Sequence, residues 1–180
     1  MLLMCATSSA QMKWNQSYQT YINQYKDLAI EQMLRYRIPA SITLAQGLFE
    51  SRAGQSDLAR QGNNHFGIKC HNWTGPTQYH DDDARGECFR VYQDAKESYE
   101  DHSRFLAKQP RYSRLFSLNT TDYKGWAHGL KSCGYATNPQ YANKLIQIIE
   151  LYRLQDYDKA KSYDRFMATH SGTDVPINAE

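Results

Sequence analysis

Apolar residues recur at helical spacing in the first well-patterned part of the chain, residues 17–37. One face carries aromatic and aliphatic side chains three or four positions apart, while Lys26, Glu31 and Arg35 take the other face. This pattern predicts an amphipathic helix. Pro39 ends it, because a proline disfavours the helical conformation in the residue before it. The apolar positions of the helix are Tyr18, Tyr21, Ile22, Tyr25, Leu28, Ala29 and Met33.

The next segment, residues 40–50, is apolar almost all round and so predicts a helix inside the core. It ends at Glu50, directly after Leu48 and Phe49. Burial disfavours the ionised form of a carboxyl group and raises its pKa, which is what a general acid needs near neutral pH. Glu50 is therefore the candidate catalytic acid. The alternative is a glutamate at a helix end that is solvated or paired with Arg52.

The helical pattern disappears between residues 62 and 92, where glycines separate short runs. The runs HFGIKC, TQYH and CFRVY predict short strands joined by turns, and hence a small β-lobe between helices. This lobe also concentrates acidic residues at Asp81, Asp82, Asp83 and Glu87. Glycoside cleavage typically uses two carboxyl groups, one on each side of the bond. We favour Asp82 as the second carboxylate, followed by Asp83; the alternative is a solvated or cation-binding loop.

Helices are predicted again for the second half of the chain. They cover residues 95–108, a short turn at 111–118, a helix capped by Thr120 or Thr121, and a helix that begins at Asn138-Pro139. The chain thus predicts a mainly α (α+β) protein with a catalytic domain at residues 17–157. Residues 158–180 predict a mobile tail. Residues 1–16 resemble a truncated signal peptide, with a lipoprotein cysteine at Cys5 as the alternative.

Composition narrows the class of protein only a little. A net charge of +2 over 180 residues gives no argument for nucleic-acid binding, and no apolar run is long enough to span a membrane. In an exported protein Cys70 and Cys88 could form a disulfide; otherwise they remain partly buried thiols. Three histidines lie near these cysteines, but the spacings match no standard zinc pattern. No metal and no cofactor are therefore predicted.

Aromatic side chains are the candidate sugar-binding groups, because 14 of the residues are Tyr and three are Trp. Trp73 and Tyr79 lie in the predicted β-lobe. Tyr135 lies on a turn between two helices, so its hydroxyl could point into a groove. Tyr141 lies on a helix, where its spacing also suits a core position.

Five motifs in this order resemble the glucosaminidase domain of glycoside hydrolase family 73. They are AQGLFES, NNHFGIK, CFRVY, QPRY and CGYATNPQYANKL. The resemblance implies a lysozyme-like fold, with a helical lobe, a small β-lobe and a groove between them. It implies that Glu50 is the catalytic glutamate and that Tyr135 lies beside it. By the same resemblance, Asn64 and Phe66 belong to a segment that shapes the cleft floor, and we expect both to bind substrate.

The substrate that this resemblance implies is the glycan strand of peptidoglycan, cut after N-acetylglucosamine by an exported enzyme that we expect to be monomeric. Two alternatives stay open. A lytic transglycosylase or muramidase could use the same scaffold with Glu50 as its single essential carboxylate. A non-catalytic wall-binding module would keep the groove but not the chemistry; the presence of Glu50 together with acidic partners argues against it.

Overall fold

The computed structural model describes residues 12–82 and 84–162. Asp83, most of the predicted signal peptide and most of the predicted tail lie outside these residues. The helices are α1 (Gln16–Tyr36), α2 (Ala40–Glu50), α3 (Asp57–Gly62), α4 (Ala95–Lys108), α5 (Tyr123–Ser132) and α6 (Tyr141–Leu151). Two 3₁₀ segments, Pro110–Ser117 and Leu154–Lys159, and the strands β1 (Thr77–His80) and β2 (Glu87–Arg90) complete the order. This confirms the mainly α fold class with a small β-lobe.

Helix α2 is the centre of the helical lobe. Every residue from its start to Leu48 is buried, which agrees with its all-round apolar sequence. It packs against α1 and α6, which present amphipathic faces to it. The core residues of the helical lobe include Ile22, Ile30, Leu44, Leu48, Leu106, Trp126, Leu130, Leu145 and Ile149. Because it is enclosed on several sides, α2 gives a rigid base for the residue at its end.

The chain turns sharply before α2. Helix α1 ends at Tyr36, and the capping residue after it is Arg37, whose φ of 63° is left-handed and whose backbone N–H donates to the carbonyl of Met33 at 2.8 Å. This is a common way to terminate a helix. Pro39 then precedes α2, so the predicted break between the two helices is confirmed.

The β-lobe is smaller than the sequence predicts. β1 and β2 pair antiparallel, with Thr77 opposite Arg90 and His80 opposite Glu87. The run HFGIKC does not form a strand: it makes one isolated bridge, from Lys69 to Phe89. Gly67 has a φ of 62°, and the turn around it prevents an extended conformation. The disulfide Cys70–Cys88 ties this turn to β2, which confirms the predicted bridge.

Three helix boundaries differ from the prediction. Helix α5 is capped by Asp122, whose carboxylate accepts from the N–H of Gly125 at 2.9 Å, rather than by a threonine. Helix α6 begins at Tyr141 instead of Pro139, because Asn138 caps a preceding turn by accepting from the N–H of Gln140 at 2.8 Å. The segment predicted as a helical turn is the 3₁₀ segment Pro110–Ser117, with its proline in the first turn.

The folded domain extends beyond residue 157. Asp158, assigned by its sequence to the tail, lies in the second 3₁₀ segment and is buried. Its carboxylate accepts from the N–H and the hydroxyl of Ser41 at 2.8 and 2.6 Å. Asp158 therefore caps the N-terminus of α2 from a point 117 residues away in the chain. Within the described ranges, no helix has the length and apolar character required to cross a membrane.

Candidate active site

A groove with a cavity volume of about 370 Å³ lies where the C-terminus of α2 meets the β-lobe. One wall comes from the turn after α5 and the start of α6, and the opposite wall comes from the segment after α3 and from the hairpin. Its lining residues are Phe49, Glu50, Phe66, Gly67, Ile68, Lys69, His71, Asp82, Phe105, Arg111, Tyr112, Tyr135, Ala136, Thr137, Asn138 and Tyr141. Five of the nine candidate residues from the sequence thus meet here: Glu50, Phe66, Asp82, Tyr135 and Tyr141.

Glu50 is the last residue of α2 and lies half-buried in this groove. Burial raises the pKa of its carboxyl group from 4.5 to about 7; a hydrogen bond from Tyr141 lowers it, and the charge of Asp82 raises it further. Arg52, the alternative partner, is exposed and forms no ion pair with Glu50 among the described residues. A carboxyl group with a pKa near 7 is partly protonated at neutral pH, so it can donate a proton.

A tight turn directly follows Glu50 and fixes where α2 ends. Arg52, Ala53 and Gly54 all have left-handed φ values, of 50°, 57° and 77°. Such values are unusual for residues with a side chain. The hydroxyl of Ser51 accepts from the N–H of Gly54 at 2.8 Å and closes the turn. Strained backbone of this kind is often found at functional sites, where the surrounding structure holds it in place.

The hairpin separates the roles of the first two aspartates in the acidic cluster. The carboxylate of Asp81 accepts from the N–H of Gly86 at 2.7 Å, so it holds the turn of the hairpin. Asp82 is exposed, lines the groove, and lies 4.0 Å from the Nζ atom of Lys69. Lys69 also contacts Glu87 at 2.8 Å. Asp82 is therefore the acidic side chain that the β-lobe presents to Glu50; Asp83 lies outside the described residues.

Tyr135 and Tyr141 form the wall beside Glu50. Their rings stack with centroids 5.7 Å apart and an angle of 23° between the planes. The hydroxyl of Tyr141 accepts from the amide of Gln46 at 2.9 Å, which anchors it to α2. Burial and the charge of Glu50 both raise the pKa of the Tyr135 hydroxyl. This hydroxyl consequently stays protonated and can donate a hydrogen bond near Glu50.

Phe66 and Asn64, both predicted to bind substrate, are placed differently. Phe66 lines the groove, and its ring stacks on the buried imidazole of His102 at a centroid distance of 3.9 Å. Asn64 is only 1% exposed. Its side chain accepts from the N–H of Ile68 and donates to the carbonyls of Ile68 and Arg90. Asn64 thus shapes the loop under the groove and does not face a ligand.

Trp73 and Tyr79 do not line the groove that contains Glu50. Tyr79 lies on β1 with 72% of its surface exposed. Trp73 lines a second cavity on the other side of Phe105. The sequence placed both in the β-lobe correctly, but it could not show which side of the lobe each would face.

Three basic residues of the groove were not predicted. Lys69, His71 and Arg111 all line it together with the two carboxyl groups. Two of them fall inside motifs already named: Lys69 ends NNHFGIK, and Arg111 is the arginine of QPRY. His71 is one of the three histidines near Cys70 and Cys88 whose spacings match no standard zinc pattern. Cys70 and Cys88 are bonded to each other, and the described part of the chain holds no group of three metal-binding side chains.

The fold and site define a lysozyme-like domain. The catalytic domain of the autolysin Auto from Listeria monocytogenes superposes with a TM-score of 0.67 and 30% identity, over 82% of this chain and 91% of that one. The glycoside hydrolase domain of FlgJ from Salmonella typhimurium gives a TM-score of 0.65 and 26% identity, over 84% of this chain and 98% of that one.

The chain belongs to the glucosaminidase family, glycoside hydrolase family 73. Residues 26–154 match the family model described as mannosyl-glycoprotein endo-beta-N-acetylglucosaminidase. The exo-glucosaminidase LytG of Bacillus subtilis is 35% identical over 69% of this chain and 48% of its own length. The peptidoglycan hydrolase FlgJ of Salmonella typhimurium is 32% identical over 70% of this chain and 43% of its own length. The chain thus spans under half the length of these two curated relatives.

Proposed function

We propose that this protein is a peptidoglycan hydrolase, an endo-β-N-acetylglucosaminidase that cuts the glycan strand after N-acetylglucosamine. One observation carries the proposal: Glu50 ends the buried helix α2 inside the groove, where burial raises its pKa to about 7. Family membership and the names of the relatives LytG and FlgJ support peptidoglycan as the substrate.

In this mechanism Glu50 protonates the glycosidic oxygen as the bond breaks. Positive charge then develops on the sugar ring, because the transition state resembles an oxocarbenium ion. Asp82, exposed across the groove, stabilises that charge or assists the attacking water. Its charge also helps keep the proton on Glu50 before the reaction, since two nearby carboxyl groups resist being ionised together.

The remaining groove residues position the sugar. The hydroxyl of Tyr135 stays protonated beside Glu50 and can donate to a sugar oxygen. Phe66 and Tyr141 line the groove but are only 3% and 1% exposed, so they shape it from beneath. The stacking of Phe66 on His102 and of Tyr141 on Tyr135 holds these rings in place before the substrate arrives.

The test is digestion of purified peptidoglycan followed by mass spectrometry of the products. We expect long glycan fragments with N-acetylglucosamine at their reducing ends. Anhydro-muramic ends would instead show a lytic transglycosylase, and release of single sugars from strand ends would show exo action. Binding to the wall without soluble products would show a non-catalytic module.

The matched variants are Glu50→Gln and Glu31→Gln. Glu50→Gln keeps the shape of the side chain but removes the acid, so we expect product formation to fall by a factor of at least about 100. Glu31 lies on α1, outside the groove, and pairs with Arg35 and Lys96. Its variant should retain wild-type activity. Near-normal activity of Glu50→Gln would refute the assignment of the acid.

We also propose that the protein acts outside the cytoplasmic membrane, where peptidoglycan lies. The disulfide Cys70–Cys88 supports this, because disulfides persist mainly in oxidising compartments. The predicted signal peptide falls largely outside the described residues, and the monomeric state stays a prediction.

A further inference from the structure

A second cavity, of about 320 Å³, adjoins the groove. The two share Phe105, whose side chain lines both, and His71 of the groove packs on the Phe105 ring at a centroid distance of 6.2 Å. The two cavities are therefore neighbours, so a branch of a polymer bound in the groove can reach the second cavity. Its other lining residues are Asn72, Trp73, Arg90, Asp101, Arg104, Lys108 and Gln109.

Trp73 is held in one orientation at this cavity. Its indole N–H donates to the carbonyl of Pro76 at 2.9 Å. The guanidinium of Arg90 lies over the ring, 5.2 Å from its centroid, and Tyr92 meets it edge-on at 5.6 Å. A methyl group on Gly75 would come within 2.6 Å of the indole, so the loop backbone fits closely against it. The ring is thus an apolar surface fixed before any ligand binds.

The positive charges of the cavity differ in their partners. Arg90 is paired with Asp101 at 2.8 Å, and Arg104 is paired with Glu100 at 3.0 Å. Lys108 is exposed, and no carboxylate among the described residues lies within 4.0 Å of its Nζ atom. Two of the cations therefore have structural partners, while the third is left for solvent or for a ligand.

The basic residues form a row that leads from the cavity to the groove. Arg104 and Lys108 are four positions apart on α4, so they share one face of the helix. Arg111, which follows in the 3₁₀ segment, lines the groove itself. In peptidoglycan that carries its peptides, the lactyl carboxylate of each muramic acid is bound in an amide, so the glycan strand itself has no charge for a row of cations to bind. Such a row suits an anionic group attached to the strand.

We propose that this cavity binds an acidic peptide, namely the peptide that peptidoglycan carries on its muramic acid residues. The inference rests on the proposed function, because it assumes that the glycan lies in the groove. Lys108 would contact a peptide carboxylate, Trp73 would cover its apolar part, and the amides of Asn72 and Gln109 would bond to its backbone. The enzyme would then prefer strands that still carry their peptides.

The test compares binding to intact peptidoglycan and to strands from which an amidase has removed the peptides. The stripped strands keep the lactyl carboxylate of muramic acid, so a preference for intact material reports the peptide's own carboxylates. The full chain carrying Glu50→Gln is used, because it leaves the substrate uncut. We expect about fivefold tighter binding to intact material at low salt, equivalent to about 1 kcal/mol, and a smaller preference as salt screens the contact.

Lys108→Gln in the same background should bring the ratio of the two dissociation constants close to one. The matched control Lys96→Gln, in the first turn of the same helix, should leave the ratio unchanged, because Lys96 pairs with Glu31 outside the cavity. Since the readout is a ratio from one preparation, a loss of folded protein cancels.

Three outcomes would overturn the inference. The first is equal binding of the protein with Lys108 intact to both materials, and the second is a preference that Lys108→Gln leaves unchanged. The third is a Trp73→Ala variant that binds both materials more weakly by the same factor, which would indicate a sugar site. Cleavage by the wild-type protein is measured in parallel. Failure to cleave either material would count against the proposed function. The ratio of the dissociation constants for the two materials tests the peptide site separately.

Discussion

Glu50→Gln should change the pH dependence of stability as well as activity. The carboxyl group of Glu50 has a pKa of about 7 in the folded protein and an ordinary value of 4.5. Below pH 4.5 it is protonated in both the folded and the unfolded state, so its stabilising contribution is fully present. Between pH 4.5 and about 7 the unfolded chain releases the proton while the folded protein keeps it, so the free energy of unfolding falls as pH rises.

The size of this loss follows from the two pKa values. Stability falls by about 1.4 kcal/mol for each pH unit between them, which sums to about 3 kcal/mol above pH 7. Glutamine cannot ionise and so does not lose this amount. The difference in the free energy of unfolding between Glu50→Gln and the wild type should therefore change with pH. From pH 4 to pH 8 it should shift by about 3 kcal/mol in favour of the variant.

The assay is urea unfolding of both proteins at pH 4, 6 and 8, followed by far-UV circular dichroism. Other titrating groups contribute equally to both proteins and cancel in the difference. Glu31→Gln is the control, because it removes a surface carboxylate whose ion pairs are worth at most about 1 kcal/mol. A difference between wild type and Glu50→Gln that stays constant from pH 4 to pH 8 would refute the argument that burial raises the pKa of Glu50.

Three shorter predictions test the surroundings of the site. Activity should decline above pH 7 as Glu50 loses its proton. Tyr141→Phe should move this decline to higher pH, because the hydrogen bond from Tyr141 lowers the pKa of Glu50. The pH–rate profiles of the wild type and the variant check both results. Replacing Cys70 and Cys88 with serine should cost about 3 kcal/mol in urea unfolding, from opening a loop with a sequence separation of 18. Asp158→Ala should cost about 2 kcal/mol in the same assay through its lost hydrogen bonds, whereas Asp158→Asn should retain most of the stability.

Each of these has a clear contrary result. An unchanged pH limb in Tyr141→Phe would show that its hydroxyl does not act on Glu50. Equal stability of the wild type and the variant with both cysteines replaced by serine would show that the β-lobe does not depend on its disulfide. Equal losses in the two Asp158 variants would mean that the negative charge, rather than the hydrogen bonds, is what α2 requires.

Local pattern was sufficient for the helical lobe and for Glu50. An apolar segment with no polar face must be buried, and a carboxyl group at its end inherits that environment wherever the rest of the chain goes. The strand predicted at HFGIKC was wrong, and the reason is again local, although the composition of the run does not show it. Asn64 binds both backbone groups of Ile68, and Gly67 turns the chain between them.

The partners of Glu50 depend on contacts between distant parts of the chain. Asp81 and Asp82 are neighbours with the same side chain, and only the hairpin decides that one binds Gly86 while the other faces the groove. Trp73 belongs to the same lobe, but it packs against Arg90 and lines a cavity separate from the groove.

Sequence alone thus determined the candidate functional groups: Glu50 at the end of a buried helix, acidic residues in a β-lobe, and Tyr135 on a later turn. Tertiary structure decided which of those groups meet. It also bound Asp158 to the start of α2, although periodicity ends before that residue. Periodicity records whether a residue is buried, because burial repeats with the helix or strand. It does not record which side chains converge, because that depends on how separate elements pack in space.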